Sequence, residues 1–320
     1  MLRVVLALLI TVAVVVILVV VAFVRARNEI LAQRQELSIV AQTSRGPVEY
    51  AELGRGQPVL YVHGTPGGYD QLYLMLRAEY GDRGPAFRAI VPSRPGYLRT
   101  PLSAGRTFAE QADTMAALLD SLQIDRAALV AVSGGGPSAL QFAIRHPRRC
   151  SALILESAVT QQLTLEVPWL IRQLPRDFLT WSVQYLFKSR FDALAKADPV
   201  VGPMWSELIR GGFPFSEREA GRDNDFEQIR RMPALPLREI TCPTLVMHGT
   251  ADINVPFSHA ELATSEIAGS ELLRFEGEDH FAGLSKRRQW KNRMHAFLAE
   301  HANDPPSESG GLTRVAPDGR

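Results

Sequence analysis

Short apolar runs alternate with helical patterns through most of the chain, and this alternation restricts the fold more than any other feature. The runs with the length of buried strands are 59–62, 87–91, 127–132, 152–155, 244–247 and 272–275. A strand that is apolar at nearly every residue has both faces covered, as in parallel sheets with helices on both sides. The alternation therefore predicts an α/β fold with a mostly parallel, doubly wound sheet.

The helical segments between these runs carry their own signals. Thr107 followed by Glu110 predicts a capping box at a helix start, and apolar residues recur at helical spacing from Phe108 to Leu119. A second helix is predicted after Ser133, and a closing helix from Lys286 to Ala299.

Composition excludes several classes of protein. The chain has 320 residues and a formal net charge of +1, and it contains no basic stripe with interleaved aromatic residues, so we expect no nucleic-acid partner. The two cysteines, Cys150 and Cys242, are too few for a disulfide framework or a multi-cysteine zinc site. A single bridge between them stays open, although two buried thiols are favoured. We expect no metal and no organic cofactor.

The amino terminus has the length and polarity of a membrane span. No charged residue occurs from Val4 to Val24, and as a helix this stretch is about 31 Å long, close to the thickness of a bilayer core. A cleaved signal peptide is the alternative, but its apolar region is usually shorter. We therefore expect a single-pass membrane anchor over residues 1–27. The positive-inside rule, applied to Arg25 and Arg27, slightly favours a cytoplasmic location for the domain that follows.

The rest of the chain divides by composition. Residues 28–46 have a loosely helical pattern with many charges and are predicted to form a stalk. Residues 302–320, rich in Pro, Ser and Gly, are predicted to form a disordered tail. Residues 160–238 lack a strand pattern and contain prolines and aromatic residues. They are predicted to form a helical cap inserted between two parts of one core domain, 47–159 and 239–301.

A serine lies at the sharpest strand-to-helix junction that the sequence predicts. Ser133 follows the apolar run 127–132 and opens a helix, and the residues two positions before and after it, Ala131 and Gly135, are small. A nucleophilic serine on such a turn needs small neighbours because the backbone is strained. Gly134 is then placed to donate its N–H to an oxyanion. A phosphate-binding turn is the alternative, but the lysine of a phosphate-binding loop is missing.

A second glycine-rich loop, His63–Gly68, follows the strand at 59–62 and is expected to bring a backbone N–H close to Ser133. We assign that donor to Thr65, because Pro66 has no N–H.

The general base is expected to be a histidine on a late loop. His280 is the histidine that lies after the last predicted strand and before the last predicted helix. The acid that orients it must come from the carboxyl end of a strand, which leaves Asp252 and, as an alternative, Glu156.

Together these residues resemble the α/β-hydrolase fold family, in particular its esterase-like and proline iminopeptidase-like members. The segments that carry the resemblance are His63–Gly68, Ser93–Tyr97, the turn at Ser133, His248–Asp252 and Asp279–Phe281. Their order implies the Ser-Asp-His arrangement of that fold, with Asp252 at the family's acid position. Two positions depart from the common pattern: Ala131 stands where glycine is commoner, and Ser93 where many members have an acidic residue.

A serine at this position predicts acyl transfer to water and argues against the epoxide and halide chemistry of relatives that use a carboxylate. We expect a membrane-anchored serine hydrolase that cleaves a carboxylic ester, or a related acyl bond, in a small molecule with an apolar acyl or alcohol group. An aminopeptidase is the second possibility, with cap carboxylates binding the substrate amine, although their alternation with arginines favours a solvated face. A catalytically silent binding module on the membrane is the third possibility.

Overall fold

The computed structural model describes residues 1–164, 176–199 and 201–301. The strands of this part, numbered in chain order, are β1 Ile39–Thr43, β2 Gly46–Leu53, β3 Pro58–Val62, β4 Arg88–Pro92, β5 Ala127–Val132, β6 Cys150–Glu156, β7 Thr244–Gly249 and β8 Glu271–Phe275. They form one sheet in the order β1-β2-β4-β3-β5-β6-β7-β8. The pairs from β4 to β8 are parallel, whereas β1–β2 and β2–β4 are antiparallel. The predicted mostly parallel sheet is confirmed.

The helices of the described residues are α1 Leu2–Glu36, α2 Tyr69–Tyr80, α3 Phe108–Ser121, α4 Gly136–Arg145, α5 Arg176–Leu186, α6 Lys188–Ala197, α7 Val201–Arg210, α8 Glu219–Arg230, α9 Ser258–Glu266, α10 Ala282–Ser285 and α11 Arg287–His301. The capping box is present at the start of α3, where Thr107 and Glu110 bond each other's backbone N–H.

Helices cover both faces of the sheet, as the apolar strands predict. Leu129 of β5 belongs to a buried cluster with residues of α3, α4 and α9. Its neighbour Val130 belongs to a second cluster, with residues of α2 and α11. Alternate residues of a strand point to opposite faces, so a strand between two helical layers must be apolar throughout. The site-bearing edge of the sheet therefore rests on two separate cores.

The first two strands differ from the prediction of a stalk over residues 28–46. Helix α1 continues to Glu36, and Ile39–Thr43 then forms the edge strand β1, antiparallel to β2. This edge is partly exposed and mixes polar with apolar residues. It lacks the continuous apolar run that identifies the central strands, so the sequence alone does not predict it.

Helix α1 contains the predicted membrane span. Among the described helices it is the one with the length and apolar composition to cross a membrane, and its apolar part is not buried by the protein. Signal sequences share these properties. From Phe23 onwards, α1 packs on the domain. The Phe23 ring lies 5.7 Å from that of Trp181, Arg27 pairs with Glu217 at 2.5 Å, and Arg34 pairs with Asp70 at 3.4 Å.

Four of the helices, α5 to α8, lie between β6 and β7, within the predicted cap 160–238. The described residues of this segment contain no strand, in agreement with the prediction. Residues 165–175 and 200 of the cap, and the predicted disordered tail 302–320, lie outside the described residues.

A buried ion pair joins the cap to the core. Arg218 precedes α8 and donates to the Asp70 carboxylate at the start of α2 over 2.7 Å, and both side chains are almost completely buried. The same guanidinium also donates to the carbonyl oxygens of Gly67 and Gly211. Removing one member of such a pair leaves an uncompensated charge in the interior, which costs far more than the pair itself contributes.

We predict that Arg218→Met destabilises the protein by about 3–5 kcal/mol because Asp70 is left buried without its main partner. The Tm of the full-length protein in detergent should fall by roughly 10 °C. The double variant Arg218→Met, Asp70→Asn should recover part of this loss.

The matched control is Lys188→Met, which removes an exposed ion pair with Asp192 in the cap and should change stability by less than about 1 kcal/mol. Equal Tm values for Arg218→Met and Lys188→Met would contradict the assignment of the buried pair as a cap–core tie.

Candidate active site

Ser133 occupies a strained turn between β5 and α4. Its φ is 51°, in the left-handed region that non-glycine residues rarely adopt. A short 3-10 turn over Ser133–Gly135 leads into α4. At Gly135 a Cβ would lie 2.6 Å from the carbonyl oxygen of His63, so a larger residue does not fit. The strain is held by a strand on one side and a helix on the other.

His280 lies between β8 and α10 and connects Ser133 to Asp252. Its Nε2 is 3.0 Å from Ser133 Oγ, and its Nδ1 is 2.7 Å from Asp252 Oδ2. The three side chains come from loops after β5, β7 and β8, whose carboxyl ends meet at one edge of the sheet. The structure therefore brings together the three residues that the sequence assigned to the triad.

The carboxylate of Asp252 is completely buried but well supplied with donors. The backbone N–H groups of Asn254 and Val255 donate to Oδ1 over 2.8 and 2.9 Å. His248 Nε2 lies 3.2 Å from Oδ2, beside His280. Burial alone would raise the pKa of Asp252, but hydrogen bonds from His248, His280 and Val255 outweigh it and hold the pKa well below its usual range. Asp252 is therefore ionised and can stabilise an imidazolium.

Thr65 and Gly134 lie in contact beside the serine. A Cβ on Gly134 would be 3.3 Å from the Thr65 backbone nitrogen, and a Cβ on Gly64 would be 3.1 Å from Ser133 Cβ. Within the described part of the chain, the N–H groups of Thr65 and Gly134 donate to no backbone carbonyl. Both amides are thus free for an oxyanion formed at Ser133.

A buried ionic network holds the loop that contains Thr65. Thr65 Oγ1 donates to Asp225 Oδ2 of the cap over 2.5 Å. The Arg94 guanidinium binds both oxygens of Asp225, at 3.0 and 2.5 Å, and Tyr97 donates to the same carboxylate. Arg94 and Asp225 are almost completely buried. The predicted solvated face of the cap is wrong for Asp225, which is part of the site's support.

His63 supports the same loop in its neutral form. Its Nε2 accepts from the Arg94 backbone N–H at 2.9 Å, and its Nδ1 lies 2.8 Å from the Gly64 carbonyl oxygen, which accepts its proton. Burial and the nearby Arg94 charge hold the pKa of His63 well below its usual range. It is therefore a structural residue of the loop.

Ser133 and His280 open into a cavity of about 600 Å³ between cap and core. Most of its lining is apolar, and the apolar side chains are Pro66, Leu72, Met75, Leu76, Val132, Val159, Met204, Trp205, Leu208, Phe226, Ile229, Val255, Phe281, Leu284 and Trp290. The charged side chains among the described lining residues, His280 aside, are Glu156 and Arg287. The cavity is therefore suited to a predominantly apolar molecule, and one of its walls is polar.

Glu156, the alternative acid, ends β6 and makes no contact that would orient His280. Its carboxyl lines the cavity, near Trp290 and the charge of Arg287. Asp252 occupies the imidazole Nδ1 instead.

Cys150 and Cys242 are buried free thiols with their sulfur atoms 3.4 Å apart, so the favoured state of the sequence prediction is the one observed. Among the described residues, one group of ligand-type side chains lies close together, Glu271, Glu300 and His301. It lies at the surface, away from Ser133, and both glutamates are paired with Arg293.

Sequence reasoning missed the residues that support the site. Arg94 lies in the Ser93–Tyr97 segment, and Asp225 lies in the cap, far away in the sequence. A charged residue in an otherwise uncharged loop was the available signal for Arg94. Its partner could not be identified, because several cap carboxylates alternate with arginines.

Comparison with known proteins agrees with this architecture. A hydrolase of Bacillus subtilis strain 168, YcgS, described as uncharacterized, is 29% identical over 269 residues, which cover 75% of this chain and 90% of that protein. A 2-hydroxy-6-oxo-2,4-heptadienoate hydrolase of Pseudomonas putida is 26% identical, over 78% of this chain and 91% of its own. The structure of an alpha/beta hydrolase fold protein from Nakamurella multipartita is 32% identical, covers 83% of this chain and 100% of its own, and superposes with a TM-score of 0.68.

The sequence profile of the alpha/beta hydrolase fold matches residues 57–286, from the strand before the oxyanion loop to the start of the closing helix. With the sheet order and these relatives, it establishes that the chain is a hydrolase of the α/β-hydrolase fold family.

Proposed function

We propose that the protein is a membrane-anchored serine hydrolase that cleaves carboxylic esters, or closely related acyl bonds, through an acyl-enzyme. The observation that carries this proposal is the hydrogen-bonded chain from Ser133 through His280 to Asp252, which opens into an apolar cavity. A small acyl compound is the substrate, and side chains and water suffice for the reaction. These intact hydrogen bonds also argue against a catalytically silent binding module.

The reaction follows from the positions of the protons. His280 Nε2 takes the Ser133 proton as Oγ attacks the carbonyl carbon, and the resulting imidazolium is stabilised by ionised Asp252. The oxyanion accepts hydrogen bonds from the Thr65 and Gly134 N–H groups. The imidazolium then protonates the leaving alkoxide, which departs as an alcohol. Water, deprotonated by His280, releases the acid from Ser133 in a second round of the same steps.

The lining of the cavity favours an apolar ester. The Pseudomonas putida relative is named for a dienoate, which bears a carboxylate. Among the described lining residues Arg287 is the cation suited to that group, but its guanidinium is already held in a two-point ion pair by Glu79. An uncharged acyl group therefore fits this cavity better than a dienoate does.

The aminopeptidase alternative needs a free carboxylate for the substrate amine. Most cap carboxylates are bound to arginines: Glu217 to Arg27, Glu219 to Arg176, Asp223 to Arg222, Asp225 to Arg94 and Glu227 to Arg230. None of the described cap carboxylates lines the cavity. The carboxyl that does line it, Glu156, has its pKa raised to about 7 by burial and lies close to a guanidinium. A cationic substrate is therefore disfavoured.

The membrane anchor is proposed for α1. The uncharged stretch is longer than the apolar region of a typical signal peptide, and the helix runs on without a break into contacts with the domain. The cytoplasmic location of the catalytic domain, slightly favoured by the positive-inside rule, stays a prediction.

A fluorophosphonate probe tests the nucleophile. We predict that the full-length protein is labelled and that Ser133→Ala is not, with hydrolysis of a short chromogenic ester reduced at least about 10⁴-fold. Asp252→Asn should lose about 10²–10⁴-fold because His280 would no longer be held in the reactive tautomer.

Ser138→Ala is the matched control for the probe. Ser138 is also buried, lies in α4 just after the turn, and donates to Gln111 rather than to His280. Labelling of Ser133→Ala at the rate of the unsubstituted protein would contradict the proposal. Faster cleavage of an aminoacyl amide than of any ester in a chain-length series would replace the esterase by the peptidase.

The support of the oxyanion loop gives a second prediction. Thr65→Val removes the hydrogen bond to Asp225 but keeps the backbone N–H, so the amide loses its fixed position. We expect kcat to fall about tenfold with little change in KM, because an oxyanion donor acts in the transition state.

Thr65→Ser, which keeps the hydroxyl, should restore kcat, and Asp223→Asn should leave it unchanged, since the Asp223 carboxylate is exposed and paired with Arg222. A normal kcat for Thr65→Val, with a normal Tm, would show that the hydroxyl bond to Asp225 does not position the Thr65 amide.

Glu156 predicts a pH-dependent stability. Its folded pKa, about 7, lies above the unfolded value of about 4.3, so the fold favours the neutral carboxyl. This preference destabilises the protein progressively as the pH rises from about 4.3 through 7. Glu156→Gln should therefore gain roughly 3–4 kcal/mol over the parent protein at pH about 8.5, relative to their difference at pH about 4, since each pKa unit is about 1.4 kcal/mol.

The measurement is the Tm of both proteins in detergent at the two pH values, with Glu239→Gln as an exposed control. A Tm difference that is the same at both pH values would show that the Glu156 carboxyl is not perturbed.

A further inference from the structure

One face of α5, in the cap, exposes apolar side chains to solvent. Leu179, Val183 and Leu186 are 40%, 46% and 72% exposed, and their spacing places them on one side of the helix. Tyr185 and Phe187, at the same end of α5, are exposed as well. A contiguous apolar surface of this kind on a folded domain marks an interaction site. We call Leu179, Val183 and Leu186 the α5 face.

Another side of α5 packs on the end of the apolar part of α1. The ring of Phe23 lies 5.7 Å from the rings of both Phe178 and Trp181, in edge-to-face contact. Arg27, one turn further along α1, pairs with Asp177 in the first turn of α5. The aromatic and ionic contacts fix α5 beside this point of α1.

The position of Phe23 in the sequence sets the depth of α5. The uncharged stretch of α1 ends at Val24, and Arg25 follows, so in a membrane Phe23 lies where the hydrocarbon meets the headgroups. Its partners on α5 must lie at the same level, the level at which Trp and Tyr are enriched in membrane proteins. The cations Lys188 and Arg190 follow the α5 face and are exposed, as expected next to anionic headgroups.

We propose that the α5 face lies in the membrane interface and contacts lipid, as a second attachment of the domain beside α1. This inference rests on the membrane anchor proposed above and adds a surface and a geometry to it. The cap is then held against the bilayer, and the enzyme stays close to apolar esters dissolved in the membrane.

The test uses full-length protein in vesicles of phosphatidylcholine and phosphatidylglycerol. In a background with Cys150→Ala and Cys242→Ala, a polarity-sensitive fluorophore is attached at Leu186→Cys, at Val12→Cys in α1, or at Ser265→Cys in α9, an exposed position on the core. Lipids that carry a quencher at a defined depth report the position of each fluorophore.

We expect a shallow quencher to reduce the emission at position 186, a deep quencher to reduce it at 12, and neither to act at 265. Quenching at 12 but not at 186 would overturn the inference and leave the anchor intact. No quenching at 12 would reject the anchor, and the inference with it. Cross-linking between two copies through position 186, without lipid quenching, would assign the α5 face to a second copy of the chain.

A second measurement concerns access of the substrate. The triple variant Leu179→Gln, Val183→Gln, Leu186→Gln should hydrolyse a long-chain ester dissolved in the vesicles with kcat/KM lowered roughly threefold to tenfold, because the cap is less firmly held at the interface. A short water-soluble ester should be hydrolysed as before. Equal losses on both esters would mean that the α5 face only stabilises the cap. The quenching experiment needs no enzymatic activity, so failure of the proposed ester hydrolysis would leave it valid.

Discussion

The hydrogen bond between His280 and Ser133 depends on the parallel arrangement of the sheet. The two residues are 147 positions apart, and they meet because β5 and β8 point the same way and end at one edge. That arrangement requires helical connections on both faces and strands apolar enough to be covered twice. Every other part of the site is built around this edge: the loop after β3 supplies one amide, the turn at Ser133 supplies another, and the loop after β7 supplies the carboxylate.

The sequence identified the parts of the molecule that are governed by local patterns. The central strands are continuous apolar runs, and Thr107 caps a helix within a few residues, so both could be predicted. The edge strand β1 could not be predicted. Its side chains are partly exposed, and its mixture of polar and apolar residues is also found in loops and helices. Ser133, Asp252 and His280, which the structure joins by hydrogen bonds, could be selected because a strained turn and a late histidine are visible in the sequence. The partnership of Arg94 with Asp225 leaves none, since it depends on how the cap folds back.

The cap is a structural partner of the site as well as its cover. Asp225 from α8 accepts a hydrogen bond from Thr65, and Arg218 donates to the Gly67 carbonyl and to Asp70, so the loop His63–Gly68 is held by two buried contacts with the cap. Buried charges of this kind are costly unless every partner is in place. The cost makes the arrangement all-or-none: a cap that shifts must break both contacts, so the loop and the cap are expected to move as one body.

The short connection between α1 and β1 gives the domain very little freedom. Only Leu37 and Ser38 separate the end of the helix from the first strand, and Arg34 and Tyr69 hold the helix against the core. A protein tethered by a flexible linker samples many orientations, whereas here helix α1 and the sheet rotate together. If α1 is inserted in a membrane, its tilt sets the distance between the cavity and the lipid. The tilt of a membrane helix depends on bilayer thickness. The lipid composition would therefore set the distance between the active-site cavity and the membrane surface.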